Sequence, residues 1–187
     1  MSDSHPLGRI IALLDQARIP HMLTGSFAST FHGPPRSTQD IDVVIDCTAE
    51  SLERLLERLA PDRYYVSPEA AREALALRRQ FNVIDLDTGW KIDLIVRKDR
   101  AYSREEFSRR RPVRIGAVQV FVTSAEDTVL SKLEWAKKGE SERQLRDVVG
   151  VLAARGEQLD LPYIERWVGP LSVRSLWEQA QRLAAPR

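Results

Sequence analysis

Apolar positions along this chain recur at two spacings, and the switches between them mark the elements. Leu7, Ile10, Ile11, Leu14 and Ala17 fall on one face of a 3.6-residue repeat. They predict an amphipathic helix from Leu7 to Ala17, ended by Ile19-Pro20. Residues 21–24 predict a short strand leading into Gly25-Ser26. Phe27 to His32 predict a helical turn or two, broken at Gly33-Pro34-Pro35 because proline lacks a donor and fixes φ. From Asp40 to Asp46 the period becomes two. Ile41, Val43 and Ile45 share one face of a predicted strand, and Asp40 and Asp42 share the other.

The alternation continues downstream. Thr48 or Ser51 caps a helix running to about Leu59, with Leu52, Leu55, Leu56 and Leu59 as its stripe. Tyr64-Tyr65-Val66 reads as a short strand. Ser67 caps and Pro68 opens a helix to Leu77. Phe81 to Asp87 and Trp90 to Val96 form a hairpin around Asp87-Thr88-Gly89, so the sheet is at least partly antiparallel. In its second strand Trp90, Ile92, Leu94 and Val96 share one face, and Lys91 and Asp93 the other. Tyr102 to Arg111 reads as a helix ending in Arg109-Arg110-Arg111. A further hairpin covers residues 113–122. From Ser124 the pattern is helical: Ser124 and Asp127 form a capping box, with Val129, Leu130, Leu133 and Ala136 as the apolar face. Helices follow over Ser141 to Arg155 (Leu145, Val148, Val149, Leu152 inward), near Leu161-Pro162, and over Ser172 to Ala184. The expected class is α+β: a mixed β-sheet flanked by helices over residues 1–123, then a helical bundle over 124–187.

Composition narrows the partners. The 187 residues suit one domain or a compact pair, and 43% hydrophobic with 29% charged is ordinary for a globular protein. A net charge of +1 gives no global basic field for nucleic acid. The lone Cys47 rules out an internal disulfide framework and reads as a small filler. No apolar run is long enough to cross a membrane, and the first residues lack a signal-peptide layout, so the expectation is a cytoplasmic protein without a membrane partner.

The chemistry concentrates in the carboxylates. Asp40 and Asp42 stand side by side on one strand face, where like charges repel unless a proton or a cation intervenes. Hard oxygen donors on a rigid strand suit Mg²⁺ or Mn²⁺. If the two Asp-bearing strands are neighbours, Asp93 completes a triad. Gly25 permits backbone angles and a close phosphate approach closed to other residues, and Ser26 offers a helix cap and a hydroxyl to the same phosphate. Arg36 reads equally as a phosphate fork or as a loop-fixing ion pair. The Arg109–Arg111 run is either a solvated face or a landing strip for a nucleic-acid backbone.

Taken together, Gly25-Ser26, then Arg36-x-Thr38-x-Asp40-x-Asp42, then a lone strand Asp93, resembles the DNA polymerase β-like nucleotidyltransferase superfamily. The resemblance is to its small bacterial, abortive-infection toxin-like members, and it covers roughly the first half of the chain. Asp127 to Leu133, followed by Arg146-Asp147, resembles their helical half. The Gly-Ser turn here is followed by Phe27-Ala28-Ser29 and not by the small-Arg-Gly run of minimal members. The resemblance implies metal-dependent transfer of a nucleoside monophosphate from a nucleoside triphosphate such as ATP to a hydroxyl, with release of pyrophosphate. It implies catalytic and metal roles for Asp40, Asp42 and Asp93 with two Mg²⁺ (or Mn²⁺) ions. Gly25, Ser26, Arg36, Thr38, Lys91 and Lys132 are the nucleotide-binding candidates, and His32 supports the loop. The acceptor is RNA (a tRNA end) or protein, with an antitoxin as a possible partner. The alternatives are an antibiotic-modifying nucleotidyltransferase and a non-catalytic nucleotide- or partner-binding module.

Overall fold

A computed structural model describes residues 5–35, 37–139 and 141–185. In chain order the elements are α1 (Pro6–Gln16), β1 (His21–Leu23), α2 (Gly25–His32), β2 (Asp40–Ile45), α3 (Ala49–Arg58), β3 (Tyr64–Tyr65), α4 (Pro68–Leu77), β4 (Gln80–Asp85), β5 (Lys91–Val96), α5 (Ala101–Ser108), β6 (Arg111–Ile115), β7 (Val118–Val122), α6 (Ala125–Lys137), α7 (Ser141–Arg155), α8 (Leu161–Val168) and α9 (Arg174–Ala184). They divide into two compact units. One holds the residues up to Thr24 together with Thr38–Val122, and the other holds Gly25–Ser37 with the chain from Thr123 onward. Segment 25–37, which the sequence pattern assigns to the sheet half, therefore clusters with the helical half.

The first unit is a seven-stranded mixed sheet in the order β3-β4-β5-β2-β1-β7-β6. The pairs β2–β5 and β1–β7 run parallel, and the rest are antiparallel. One face is apolar across the strands. Leu23, Ile41, Val43, Ile45, Val83, Ile92 and Leu94 are all fully buried there, and the period of two places them together. Helix α1 contributes Leu7, Ile10 and Leu14, also fully buried. Its start is capped by the His5 side chain, which accepts from Leu7 N at 3.2 Å. Asp85, on the apolar face at the end of β4, is fully buried. It is held by Arg9 from α1 and by the backbone N and hydroxyl of Thr88 at 3.1 and 2.8 Å. Thr48 and Ser51 form a reciprocal capping box at α3. Helix α5 stops at Ser108, so the Arg109–Arg111 run does not lie on a helix: Arg111 already belongs to β6.

The second unit packs α2, α6, α7, α8 and α9 around Val129, Leu130, Leu133, Val148, Val151, Ile164, Val168 and Trp177. The buried stripe of α7 is Leu145, Val148 and Val151: Leu145 and Val148 stand as expected, and Val151 takes the place of Val149 and Leu152, which are half-buried. Asp127 is fully buried under the α6 cap, accepting from Ser124 Oγ at 2.7 Å and from Tyr163 Oη at 2.6 Å. The end of α2 approaches α7 closely. A Cβ on Gly150 would lie 2.8 Å from Pro34 Cδ, and one on Gly33 would lie 3.2 Å from Val151 N.

Candidate active site

The register between β2 and β5 builds the site. A one-residue slip of β2 against β5 would turn Asp42 into the core and Ile41 out of it, so burial of the apolar face fixes the parity of the pairing. Asp42 then lies directly opposite Asp93, and Asp40 opposite Lys91. On the far side of β5, Asn82 of β4 lies opposite Asp93. Two rows result on the polar face: Asn82–Asp93–Asp42, and beside it Ile84–Lys91–Asp40. Neighbouring strands are ~4.8 Å apart, so each row brings its side chains into mutual reach.

Exposure falls along this group. Asp40 is exposed and Asp42 half-buried, while Asp93 is only 7% exposed. Two ionised carboxylates ~5 Å apart repel by on the order of 3 kcal/mol at an effective dielectric of ~20, so the Asp42–Asp93 pair calls for a cation. Lys91 supplies one, its Nζ lying 2.9 Å from Asp93 Oδ2. The hydrogen bond to Asp93 holds the Lys91 ammonium above the ordinary lysine value against its burial, and the charges of Asp93, Asp40 and Asp42 add to this. Among the described residues Asp93 Oδ1 is buried without a hydrogen-bond partner. An orphaned, buried carboxylate oxygen beside two more carboxylates is a donor set that fits a hard divalent cation. Among the described residues no three His, Cys, Asp or Glu side chains stand together as a ready cage.

The other candidate residues are placed as follows. Thr38 Oγ1 accepts from Asp40 N at 3.2 Å, so its hydroxyl sets the entry of β2. Asp46, one residue beyond β2, pairs with Arg97 at 3.1 Å. Thr24 N donates to Asp42 O at 2.9 Å, and Gly25 follows directly in the chain. Gly25 has φ 62°, the left-handed region that glycine adopts without strain. Helix α2 begins at Gly25, so Ser26 sits in the first turn, buried, and not at the cap. Lys132 is buried and bound to Asp147 at 2.8 Å. His32 Nε2 lies 2.7 Å from Thr123 O and ties the loop after α2 to the start of the helical segment. Arg36 lies outside the described residues. Arg110 is stacked over Phe107 and Phe121 at 4.2 and 5.0 Å, so this member of the basic run is a packed side chain and not a solvated one.

Sequence reasoning missed Asn82. Its position on the polar side of β4 was readable from the alternation with Phe81 and Val83, but its place beside Asp93 needed the register.

No family model matches the chain, and no curated protein matches its sequence. Solved structures do. The antibiotic-resistance factor ANT(2'')-Ia, in complex with adenylyl-2''-tobramycin, superposes with a TM-score of 0.59 at 16% identity, over 90% of this chain and 96% of that one. The lincosamide antibiotic adenylyltransferase LnuA, lincomycin-bound, gives 0.53 at 12% identity over 78% and 93%. An antigenic nucleotidyltransferase-like protein from Paracoccidioides brasiliensis gives 0.51 at 13% over 91% and 89%. The fold is that of a nucleotidyltransferase. The mixed sheet and flanking helices expected from the residue pattern are thus accounted for by known structures. Among the described residues no helix is long and apolar enough to cross a membrane.

Proposed function

We propose that this chain transfers a nucleoside monophosphate from a nucleoside triphosphate to a hydroxyl acceptor. The supporting observation is the pairing of Asp42 directly opposite Asp93, with Asp40 one strand step away, inside a nucleotidyltransferase fold. Asp93 takes the proton of the acceptor hydroxyl. The acceptor oxygen forms a bond to the α-phosphorus. The bond from that phosphorus to the α,β-bridging oxygen breaks, and pyrophosphate leaves with the electron pair. Asp40, Asp42 and Asp93 are the residues that would hold Mg²⁺ or Mn²⁺. Two such ions, when bound, neutralise the triphosphate and lower the pKa of the acceptor hydroxyl. The resemblance gives the Gly25-Ser26 turn the role of a phosphate-binding candidate. Thr38 supports this by fixing the backbone of Asp40. Lys91 meets phosphate charge, a role that the resemblance also gives to Arg36. Lys132 is committed to Asp147.

The acceptor is open to two readings. RNA or protein, with a toxin role and an antitoxin partner, follows from the resemblance of the Arg36-to-Asp42 motif. A small antibiotic is favoured by the two structural neighbours named for antibiotics, and by a polar face that carries carboxylates and Asn82, groups suited to a cationic, hydroxyl-rich molecule. The test is transfer of α-³²P from each nucleoside triphosphate to total RNA, total protein, an aminoglycoside and a lincosamide, with Mg²⁺, in wild type and Asp42→Asn. Label on one acceptor, lost in the variant by ~10³-fold, is expected. Equal label from the variant would sink the site assignment. Nucleotide binding without transfer to any acceptor would favour a binding module.

A further inference from the structure

We propose that Lys91 is a resident cation of the carboxylate site, and that a divalent ion entering at Asp42 and Asp93 displaces its ammonium from Asp93 onto the phosphates of the bound nucleotide. The inference rests on the reading of these carboxylates as a metal site, and it concerns what this chain does before the metal arrives.

Three observations carry it. Lys91 is doubly committed to the acidic group: two residues before Asp93 it lies on the same strand face, and across the strands it lies opposite Asp40. Its ammonium contacts Asp93 Oδ2 at 2.9 Å, while Asp93 Oδ1 is buried with no hydrogen-bond partner among the described residues. The two partners also differ in freedom. The Asp93 side chain is 10% exposed and the Lys91 side chain 43%, so the carboxylate is fixed and the ammonium, on its flexible four-carbon stem, is the member that moves. Three carboxylates and one ammonium leave two negative charges, the charge of one divalent ion. An ammonium and a divalent ion on one carboxylate repel each other, so they compete for it. Once expelled, the ammonium remains tethered at the start of β5, where the triphosphate brings a new set of anionic oxygens. Lys91 is thus a positioning residue that hands its charge from protein to substrate.

The experiment is Mn²⁺ binding by the full chain, followed by the electron paramagnetic resonance of free Mn²⁺, first without nucleotide and then with a non-hydrolysable triphosphate analogue. The variants are Lys91→Gln, Lys91→Arg and Asp42→Asn, each checked for native circular dichroism. Without nucleotide, Lys91→Gln is expected to bind Mn²⁺ ~5–10-fold more tightly than wild type, through loss of the competing charge, while Lys91→Arg stays close to wild type. With Mn²⁺ present, Lys91→Gln is expected to bind the analogue ~10-fold more weakly. Equal or weaker Mn²⁺ binding by Lys91→Gln overturns the proposal. So does an Arg variant that behaves like the Gln variant, because the effect would then be one of shape. If wild type and Lys91→Gln both fail to bind Mn²⁺, or if Asp42→Asn binds it like wild type, the metal reading itself falls. Tight Mn²⁺ binding that Asp42→Asn abolishes and Lys91→Gln leaves unchanged keeps that reading and removes only the role of Lys91.

Discussion

The two faces of the sheet each bury a carboxylate, and they treat it in opposite ways. On the apolar face Asp85 is fully buried, and both of its oxygens are engaged: Arg9 takes one and Thr88 gives two hydrogen bonds to the other. On the polar face Asp93 is nearly as buried, yet among the described residues it receives one hydrogen bond, from a half-exposed lysine, and keeps one oxygen unpartnered. The residue type is the same and the burial similar. A carboxylate closed by the fold serves the fold, whereas one left open next to two others is poised for something from outside.

This contrast makes sharp predictions. Asp93→Asn is expected to abolish nucleotidyl transfer by ~10³-fold while leaving urea stability unchanged or slightly raised, since it relieves repulsion from Asp42. Asp85→Asn is expected to do the reverse. It leaves Arg9 buried against a neutral partner and costs ~3 kcal/mol or more in urea denaturation, with transfer per folded molecule retained. A stable Asp85→Asn protein, or an active Asp93→Asn one, would erase the distinction.

Acidification tests the apolar face directly. Burial alone would raise the Asp85 pKa. The hydrogen bonds from Arg9 and Thr88 and the Arg9 charge outweigh it, so the folded value lies below the ordinary 3.8. A lowered folded pKa contributes stability that is present above 3.8 and is lost as pH falls through the folded value. Urea midpoints measured from pH 6 down to pH 2 are expected to show this loss in wild type and to lack it in Asp85→Asn. A smaller effect is expected at the edge of the polar face. Asn82→Ala should raise the acceptor KM by ~10-fold, with kcat changed little, if the row beside Asp93 orients the acceptor. An unchanged KM would remove Asn82 from the site. Smallest of all, Cys47, whose thiol burial pushes up to about 11, is expected to resist iodoacetamide at pH 8 in the folded protein and to react on unfolding.

Much of this was legible from residue spacing, because a sheet with one buried face writes its parity into the chain. The alternation at Ile41, Val43 and Ile45, and again at Ile92, Leu94 and Val96, puts Asp40, Asp42, Lys91 and Asp93 on polar faces before any coordinates. Spacing is silent on which strands are neighbours. The pairing of β2 with β5, and hence of Asp42 with Asp93, is a choice among topologies that local pattern does not make, and Asn82 was missed for the same reason. Long-range ion pairs were equally hidden. Arg9 finds Asp85 across 76 residues of chain, and Lys132 finds Asp147 on another helix. The Arg109–Arg111 run was misread as helical because three arginines carry no period. Strand pairing with β7 and stacking on Phe107 and Phe121 decided their fate.

The parallel pairing of β2 with β5 also has a kinetic side. The Asp46–Arg97 pair at its end closes a loop of 51 residues, whereas β4 and β5 meet through a tight turn. The local hairpin is therefore free to form early, and the docking of β2 waits for the costlier closure. That docking step is the one in which Asp42 is pushed against Asp93. Neutralising either aspartate should speed refolding, leaving unfolding little changed, if the repulsion is already felt at the barrier. The wild-type chain would then fold more slowly because of the charges gathered at its candidate site.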